Sequence, residues 1–595
     1  MKKTLCLLLS LVLCIALCAP ACAEDYTAAA KGFGGDVTVT LTIENGAIAA
    51  AKIEGTAETA GIGGAAIEKL SAQMVELNSV ELDSVSGATV TSDAVLAAAV
   101  DALAQAGLAP ADLASVEAAA VEAAKPAFEN PDVIVIGAGS AGMNAAIAAA
   151  EAGAKVYLIE QNDATGGSIR YAGGTTSAAQ AQMQIDAGKE DSPENFAADI
   201  ERMGGGTNIP ELTKKHTENA AAAVNWLDQV LGLDFGDRLP KMSGSYDAFN
   251  VEREYRVTGG GVVIADAVRK VLDTHIEAGS VSLLLNTRVD DIIIEDGAVV
   301  GVVIDDAAKT EYRADAIVLA TGGYCHNEEL LKRYNFDNVL TTSPSFVTGD
   351  GFIFAEKAGA KFNNMDYMPA YPGGVPTDGF DLVTSAYVTN YNNTIWVDLN
   401  GQRLVAEMGA LDSERKAAYS NAEQNLVYIV FNQAVRDTQD SVIQKDEGWA
   451  KFDELLAAGN CVYTGATIEE LAANAGLNAE GLAATIEKMN GFVDAGVDAD
   501  FGRDMTTIAK IEEGPYYAVK TCPYVMLSKG GPVMNPDAQV LNTNDEPIPG
   551  LYECGELAGG ANIGGSANIG GLANTSTIVW GKIAGTNAAA YAIGK

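Results

Sequence analysis

Cysteine, histidine and positive charge are all scarce in this 595-residue chain. Cys6, Cys14, Cys18 and Cys22 crowd the first 22 residues, and Cys325, Cys461, Cys522 and Cys554 are far apart, with no CxxC and no CxxCH. That spacing excludes an attached c-type haem and an ordinary zinc site, and a chain of this length needs no disulfide framework. His216, His275 and His326 are too few for a His-rich metal centre, so no metal is expected. Lys and Arg number 38 against 79 Asp and Glu, a net charge of −41. The clustered cations that hold nucleic acid or an anionic membrane are missing, so neither is an expected partner. The acids are scattered and form no tail, which reads as a solvated surface. Beyond residue 30 no apolar run is long enough to span a bilayer.

What remains is ample material for a globular protein. Hydrophobic residues make up 48% of the chain and charged residues 20%, enough to build several domains with large cores. The 63 glycines follow no Gly-X-Y period, so a collagen-like fold is excluded. Lys2 and Lys3 precede an apolar run from Leu5 to about Ala19, then Ala21-Cys22-Ala23. A basic start, a short apolar core and a small-x-small end make residues 1–23 a secretory signal peptide. A membrane anchor is the alternative, but the run is short for one. A lipoprotein anchored through Cys18 or Cys22 fits less well, because the residues before each make a poor lipobox. The expectation is a chain exported across the cytoplasmic membrane, to a periplasm or cell surface, with its signal peptide removed.

Residues 24–107 read as one α+β unit. Val37–Ile43 alternates as a strand, Asn45-Gly46 signals a turn, and Ala47–Ile53 returns. Helical stretches follow near Ala65–Leu77 and Ser92–Ala106. Residues 108–130 are a linker, Ala- and Glu-rich and helical in character, with Pro110 and Pro126 near its ends. At Pro131 the texture changes. Asp132–Ile136 is an apolar β-branched run, a Gly-rich turn opens an Ala-rich helix to Ala152, and Lys155–Ile159 is a second strand: a βαβ unit. Ser282–Leu285, Val299–Ile304 and Ala316–Ala320 are further strand candidates, and a final helix covers about Ser576–Ala592. Ala561–Gly565 and Ala567–Gly571 echo one another locally and form no solenoid.

Inside the βαβ unit, Gly137-Ala138-Gly139-Ser140-Ala141-Gly142 is a GxGxxG that leaves a strand and opens a helix. Its glycines allow a tight turn and let backbone N–H groups approach a pyrophosphate. Glu160 ends the second strand and is placed to accept hydrogen bonds from the adenosine ribose. Three later segments add to it: Thr165-Gly166-Gly167-Ser168, Ala320-Thr321-Gly322-Gly323-Tyr324, and Gly550-Leu551-Tyr552-Glu553-Cys554-Gly555-Glu556. With these, residues 131–595 resemble the flavoprotein subunit family of fumarate reductase, succinate dehydrogenase and urocanate reductase. The resemblance implies non-covalent FAD, with Glu556 near the ribityl chain and Gly570 to Thr575 near the flavin ring. It also implies a Rossmann-like FAD-binding domain in two parts, 131–365 and 529–595, with an inserted α+β clamp over 366–528.

Asp83-Ser84-Val85-Ser86-Gly87-Ala88-Thr89 resembles the flavinylation motif of exported FMN-binding domains. That implies covalent FMN on Thr89 through a phosphoester, attached by a separate flavin transferase. A plain Ser/Thr turn capping the next helix is the alternative. Two flavins suggest a wire, in which a membrane-associated donor reduces FMN and FMN passes electrons to FAD.

In the fumarate reductases two histidines and two arginines hold the substrate carboxylates. Carried over one position at a time, those places are occupied here by Tyr371, Leu527 and Asn568, while the proton-relay pair falls near Tyr387 and Asn390. Each departure removes positive charge or a donor matched to a carboxylate, and the joint loss should cripple dicarboxylate binding. Tyr367, Tyr387 and Tyr391 could line an aromatic slot with Tyr371, although Tyr387 and Tyr391 also suit plain packing. Arg403-Leu404-Val405-Ala406-Glu407 matches the family's Arg-Phe-x-Asn-Glu loosely, so the implied proton donor is Arg415, with Tyr371 as its rival. His326, just after the Gly322-Gly323 turn, could approach the flavin.

The expected activity is hydride transfer from FAD to an activated C=C bond of a small organic electron acceptor, in the manner of anaerobic respiration. Three alternatives stay open: fumarate or urocanate reductase proper, a ketosteroid-dehydrogenase-like enzyme, and a non-catalytic flavin electron carrier.

Overall fold

The computed structural model describes residues 24–44, 46–58, 63–82, 85, 88–113, 125–242, 249–336, 338–367, 371–377, 386–408, 412–443, 448–506 and 508–594. Residues 1–23, where a signal peptide is expected, most of the motif before Thr89 and residues 114–124 of the linker lie outside these. The chain divides into two compact units, one before this linker segment and one after it.

The first unit is a three-stranded antiparallel sheet, β1 (Glu24–Lys31), β2 (Asp36–Glu44) and β3 (Ala47–Glu54), with helices α1 (Gly63–Glu76) and α2 (Thr89–Gln105). Strand β2 alternates, with Val37, Val39 and Leu41 fully buried and the threonines between them half-buried. A period of two with one apolar face is what a sheet covered on one side requires. Leu70, Met74, Val95, Ala98, Ala99 and Ala102 from the helices complete that core.

Helix α2 begins at Thr89, three residues earlier than Ser92, where the sequence places its start. Ser92 looks like a cap residue, yet its hydroxyl bonds back to the Ala88 carbonyl and accepts from the Val85 N–H. The cap position is Ala88, which has no side-chain acceptor. The described ends of the linker are not α-helical: Pro110–Asp112 form a single 3-10 turn. Proline at its first position starts a turn there but donates no N–H to continue a helix backward.

The second unit contains two large sheets. Strands β4 (Val133–Ile136), β5 (Val156–Ile159), β6 (Val281–Leu284) and β7 (Ala316–Leu319) join two C-terminal strands in one six-stranded sheet. The insert has its own sheet, built on β8 (Tyr371–Val375), β9 (Ile395–Val397), β10 (Val427–Asn432) and β11 (Tyr516–Val525). Strands β12 (Gln539–Leu541) and β13 (Pro547–Glu553) then return to the first sheet, whose order is β12-β13-β7-β4-β5-β6. All its pairs are parallel except β12–β13. Every residue of β4, β5 and β7 is buried, as a parallel sheet covered on both faces demands.

Helix α3 (Ser140–Glu151) carries the chain from β4 to β5, while β7 joins the opposite side of β4. That reversal opens a crevice at the carboxyl ends of the strands, the usual place for a ligand in such a sheet. Val299–Ile304 is a strand as expected, but it sits in a separate three-stranded antiparallel sheet. In the insert, β11 pairs with β8 and β10, and also with Leu340–Thr341 and Val462–Gly465. Helix α4 (Asp412–Asn421) packs on β8 and β11, and helix α5 (Leu572–Ile593) closes the chain against α3. Among the described residues no helix is long and apolar enough to cross a membrane.

Candidate active site and flavin cleft

A cleft opens at the carboxyl ends of β4, β5 and β7. Gly137, Gly139, Ala141, Glu160, Gly166, Gly167, Ser168, Thr321, Gly322 and Glu556, all expected from the sequence, line it. Its glycines have reasons. Gly137 has φ +98°, where a Cβ would meet the Ala320 carbonyl at 2.5 Å, and a Cβ on Gly142 would lie 1.8 Å from the Gly137 carbonyl. A Cβ on Gly139 would meet only Gly166 and Gly167, at 3.8 and 3.9 Å, so the turn packs against the Gly166-Gly167 segment at the start of α3. This is the cradle a pyrophosphate requires at a helix N-terminus.

Glu160 is buried, and its carboxylate accepts from the Ala138 N–H at 2.8 Å and from the N–H and side-chain amide of Asn162, both at 2.9 Å. Burial raises its pKa and these hydrogen bonds oppose the rise. Glu556 is held by the Ser528 N–H at 2.7 Å and hydroxyl at 3.0 Å. Burial again outweighs those bonds and raises its pKa. The Thr321 hydroxyl is buried with no partner among the described residues, and Gly322 beside it is open. A glycine cradle, two oriented carboxyls and an orphan hydroxyl in one cleft fit FAD.

Not every residue assigned to the cofactor lines the cleft. Ala138 serves through its N–H, Gly142 and Gly323 through close packing. Gly570 and Thr575 are not among the lining residues. The buried Thr575 hydroxyl accepts from the Ser177 N–H and donates to the Gly571 carbonyl, pinning the start of α5. Thr577, half a turn on, reaches the cleft instead and bonds Ser140 at 2.7 Å. Ser140 and the Arg288–Asp350 ion pair at 3.0 Å are further lining groups that the sequence reading omits.

The substrate-side residues divide. Tyr371, at the start of β8, is buried and stacks on Tyr524 of β11 with ring centroids 5.4 Å apart. The Asn568 side-chain amide donates to its hydroxyl. Two expected pocket residues, 197 positions apart, thus form one pair. Leu527 lies two residues past β11 and is half-buried. Tyr387 pairs with Gly374 across the sheet edge; its side chain lies outside the described residues.

Arg415 is half-buried on α4, one turn before Tyr419. The Tyr419 hydroxyl accepts from the Gly373 N–H at 3.0 Å and bonds Thr521 at 2.7 Å, which docks this face of α4 on β8 and β11. The Arg415 Nε is buried with no partner among the described residues.

Other residues named in the sequence are held by contacts within the protein. Arg403 and Glu407 belong to a buried ion network with Asp498 and Arg503, at 2.8–2.9 Å. Asn390 donates to the Asp440 carbonyl, Tyr391 packs edge-on against Trp396, and His326 reaches the Ser343 carbonyl. Among the described residues no group of His, Cys, Asp and Glu could hold a metal ion.

Glu553, at the end of β13, is fully buried, and neither carboxyl oxygen has a partner among the described residues. Burial pushes its pKa up to about 8, from 4.5. The folded chain therefore keeps a proton that the unfolded chain releases, and this stability is lost as pH rises toward 8. Buried His216 has the opposite sign: desolvation lowers its pKa to about 3, from 6.5, so acidification from 6.5 toward 3 is destabilising. The two effects oppose each other from 4.5 to 6.5; above that Glu553 acts in the same sense as the buried Glu160 and Glu556. Wild type should lose about 2 kcal/mol between pH 6.5 and 8 in urea unfolding. Glu553→Gln should have a shallower slope there, and an unchanged slope in that variant would assign the pH dependence elsewhere.

Comparison with known proteins agrees with this architecture. Residues 132–571 match the FAD binding domain family and residues 32–104 the FMN-binding domain family. Urocanate reductase of Eggerthella lenta is 33% identical over 588 residues, covering 96% of this chain and 93% of its own. Fumarate reductase (cytochrome) of Shewanella frigidimarina is 32% identical over 465 residues, 77% of each. The open conformation of a flavocytochrome c3 fumarate reductase superposes with a TM-score of 0.59 at 31% identity, covering 79% of each chain. On these matches, the chain belongs to the FAD-binding flavoprotein family that includes the fumarate and urocanate reductases, with an FMN-binding domain joined on its N-terminal side.

Proposed function

We propose that this chain is an exported reductase of an organic electron acceptor less charged than a dicarboxylate, and that covalent FMN on Thr89 relays electrons to FAD. Its family makes it an FAD-dependent oxidoreductase acting on C=C bonds. The observation that carries the finer reading is the Tyr371–Asn568 pair. Where the resemblance leads one to expect charged carboxylate ligands, a phenol and an amide are spent on each other. A dicarboxylate there would leave a charge facing neutral donors and the apolar Leu527, a costly arrangement in a buried site.

Bound FAD would supply the hydride. The chain supplies the proton for the neighbouring carbon. Arg415 is the first candidate, from the inner face of α4. Tyr371 is the second, its hydroxyl accepting from Asn568. The stacked Tyr371 and Tyr524 rings offer a flat aromatic wall that suits a conjugated acceptor.

The test is dye oxidation by the flavin-loaded chain, using reduced viologen with fumarate, urocanate, cinnamate-type acids, neutral enones and vinyl aromatics. Turnover of singly charged or neutral acceptors with fumarate inert is the expected result. Fumarate turnover at a comparable kcat/KM would overturn the reading.

A further inference from the structure

The segment from Ser343 to Asp350 is tied to both walls of the flavin cleft. On its own side, the His326 N–H donates to the Val347 carbonyl at 3.1 Å, and the Asn327 side-chain amide donates to the Thr348 carbonyl at 2.7 Å. The Ser343 hydroxyl donates to the Met526 carbonyl at 2.8 Å. From the opposite wall, the side-chain amide of Gln161, the residue after Glu160, donates to the Phe346 carbonyl at 3.0 Å. Arg288, which follows β6, makes a forked pair with Asp350, through Nε at 3.1 Å and Nη2 at 3.0 and 3.1 Å. The partners in these two ties are 185 and 62 positions apart, and all four residues line the cleft. The ties bridge it at the end where Glu160 is placed to take the adenosine ribose.

We propose that the Arg288–Asp350 pair and the Gln161–Phe346 bond form a latch that gates the passage of FAD, setting how fast the cofactor enters and leaves rather than how tightly it is held. The inference concerns FAD alone and is independent of the acceptor that is reduced. Each tie gives its donors to protein. Arg288 offers Nε and Nη2 to both oxygens of Asp350, and Gln161 offers its amide to a backbone carbonyl. Opening the latch moves the arginine rather than the strap. Asp350 is in the first turn of the helix Asp350–Lys357, where a carboxylate is favoured, and its side chain is 18% exposed. The Arg288 side chain is 51% exposed on a long stem. A half-exposed ion pair shifts an equilibrium only a few-fold, and salt weakens it further. That strength suits a gate, since a pair buried in the interior would open far more rarely.

The test follows flavin fluorescence in the full chain and reads cofactor exchange rather than turnover. Uptake is measured by mixing FAD with the chain stripped of it, and release by diluting the loaded chain into an excess of a trapping apoflavoprotein. Arg288→Gln should speed both steps about 2- to 5-fold and leave the Kd within about twofold of wild type. Arg288→Gln combined with Gln161→Ala should speed both on the order of tenfold. Arg288→Lys keeps the charge but loses the fork, and should fall between wild type and Arg288→Gln. Release from wild type should quicken as ionic strength rises, and release from Arg288→Gln should respond less. Matching circular dichroism of the stripped variants separates an opened latch from a loosened fold. Unchanged rates in the double variant would overturn the proposal. Faster release with unchanged uptake, and so a weaker Kd, would overturn it too, because Arg288 would then be a ligand of FAD and not a latch.

Discussion

Arg415→Gln should lower kcat by about 10²- to 10⁴-fold, the range over which a positioned proton donor contributes, while FAD content and KM stay near wild type. Tyr371→Phe should cost about tenfold or less. The asymmetry follows from how the two side chains are held. Tyr419 fixes the inner face of α4 on β8 and β11 through Gly373 and Thr521, and Arg415 projects from that face one turn earlier. Its buried Nε has no protein partner among the described residues, so the fold has oriented a donor without engaging it there. Tyr371 is instead tied into a structural pair by stacking and by Asn568. Stopped-flow absorbance separates the steps: reduction of FAD by dye should be unaffected in Arg415→Gln, and its reoxidation by the acceptor should slow. A crippled Tyr371→Phe beside an active Arg415→Gln would transfer the role to the tyrosine.

Much of this site is legible in the sequence, because its signals are local. The GxGxxG turn needs only its own backbone geometry, and the strand before it announces itself as four consecutive apolar residues. The segments ending at Glu160, Thr321 and Glu556 each lie at the carboxyl end of a strand, where the ordering of an α/β sheet brings them together. What stays hidden depends on partners distant in sequence. Nothing near Tyr371 announces Asn568, and nothing near Arg288 announces Asp350. Strand β1 is missed because its side chains are exposed or half-buried throughout and lack a clear alternation of apolar and polar residues. The start of α2 is misplaced because Ser92 resembles a cap, whereas its hydroxyl serves the turn behind it. The sequence cannot tell a cap from a back-bonding serine, since the same residue types do both.

The same turn decides the second large effect. Thr89→Ala should remove covalent flavin completely, and with it turnover driven by a physiological donor, while FAD-dependent reduction by a low-potential dye persists. The side chain of Thr89 lies outside the described residues; Thr91 and Ser92 are the described hydroxyls that follow it, and both are committed inward. Thr91 is buried and donates to Glu58 at 2.6 Å, and Glu58 also accepts from the Gly34 N–H, which ties the β1–β2 loop to the helix. Ser92 is fully buried and bonds Ala88 and Val85. Neither can be esterified without breaking those contacts. Thr89 opens α2 behind a cap residue with no side-chain acceptor, so the first backbone N–H groups of the helix have no cap side chain to satisfy them and suit a phosphate. Intact-mass spectrometry after co-expression with a flavin transferase would read the result directly. Thr89→Ser should keep the added flavin, since it keeps the hydroxyl, and Thr89→Ala should lack it. Flavin retained on Thr89→Ala would place the attachment elsewhere. Loss of flavin with donor-driven turnover intact would break the wire and leave FMN without a part in the electron path.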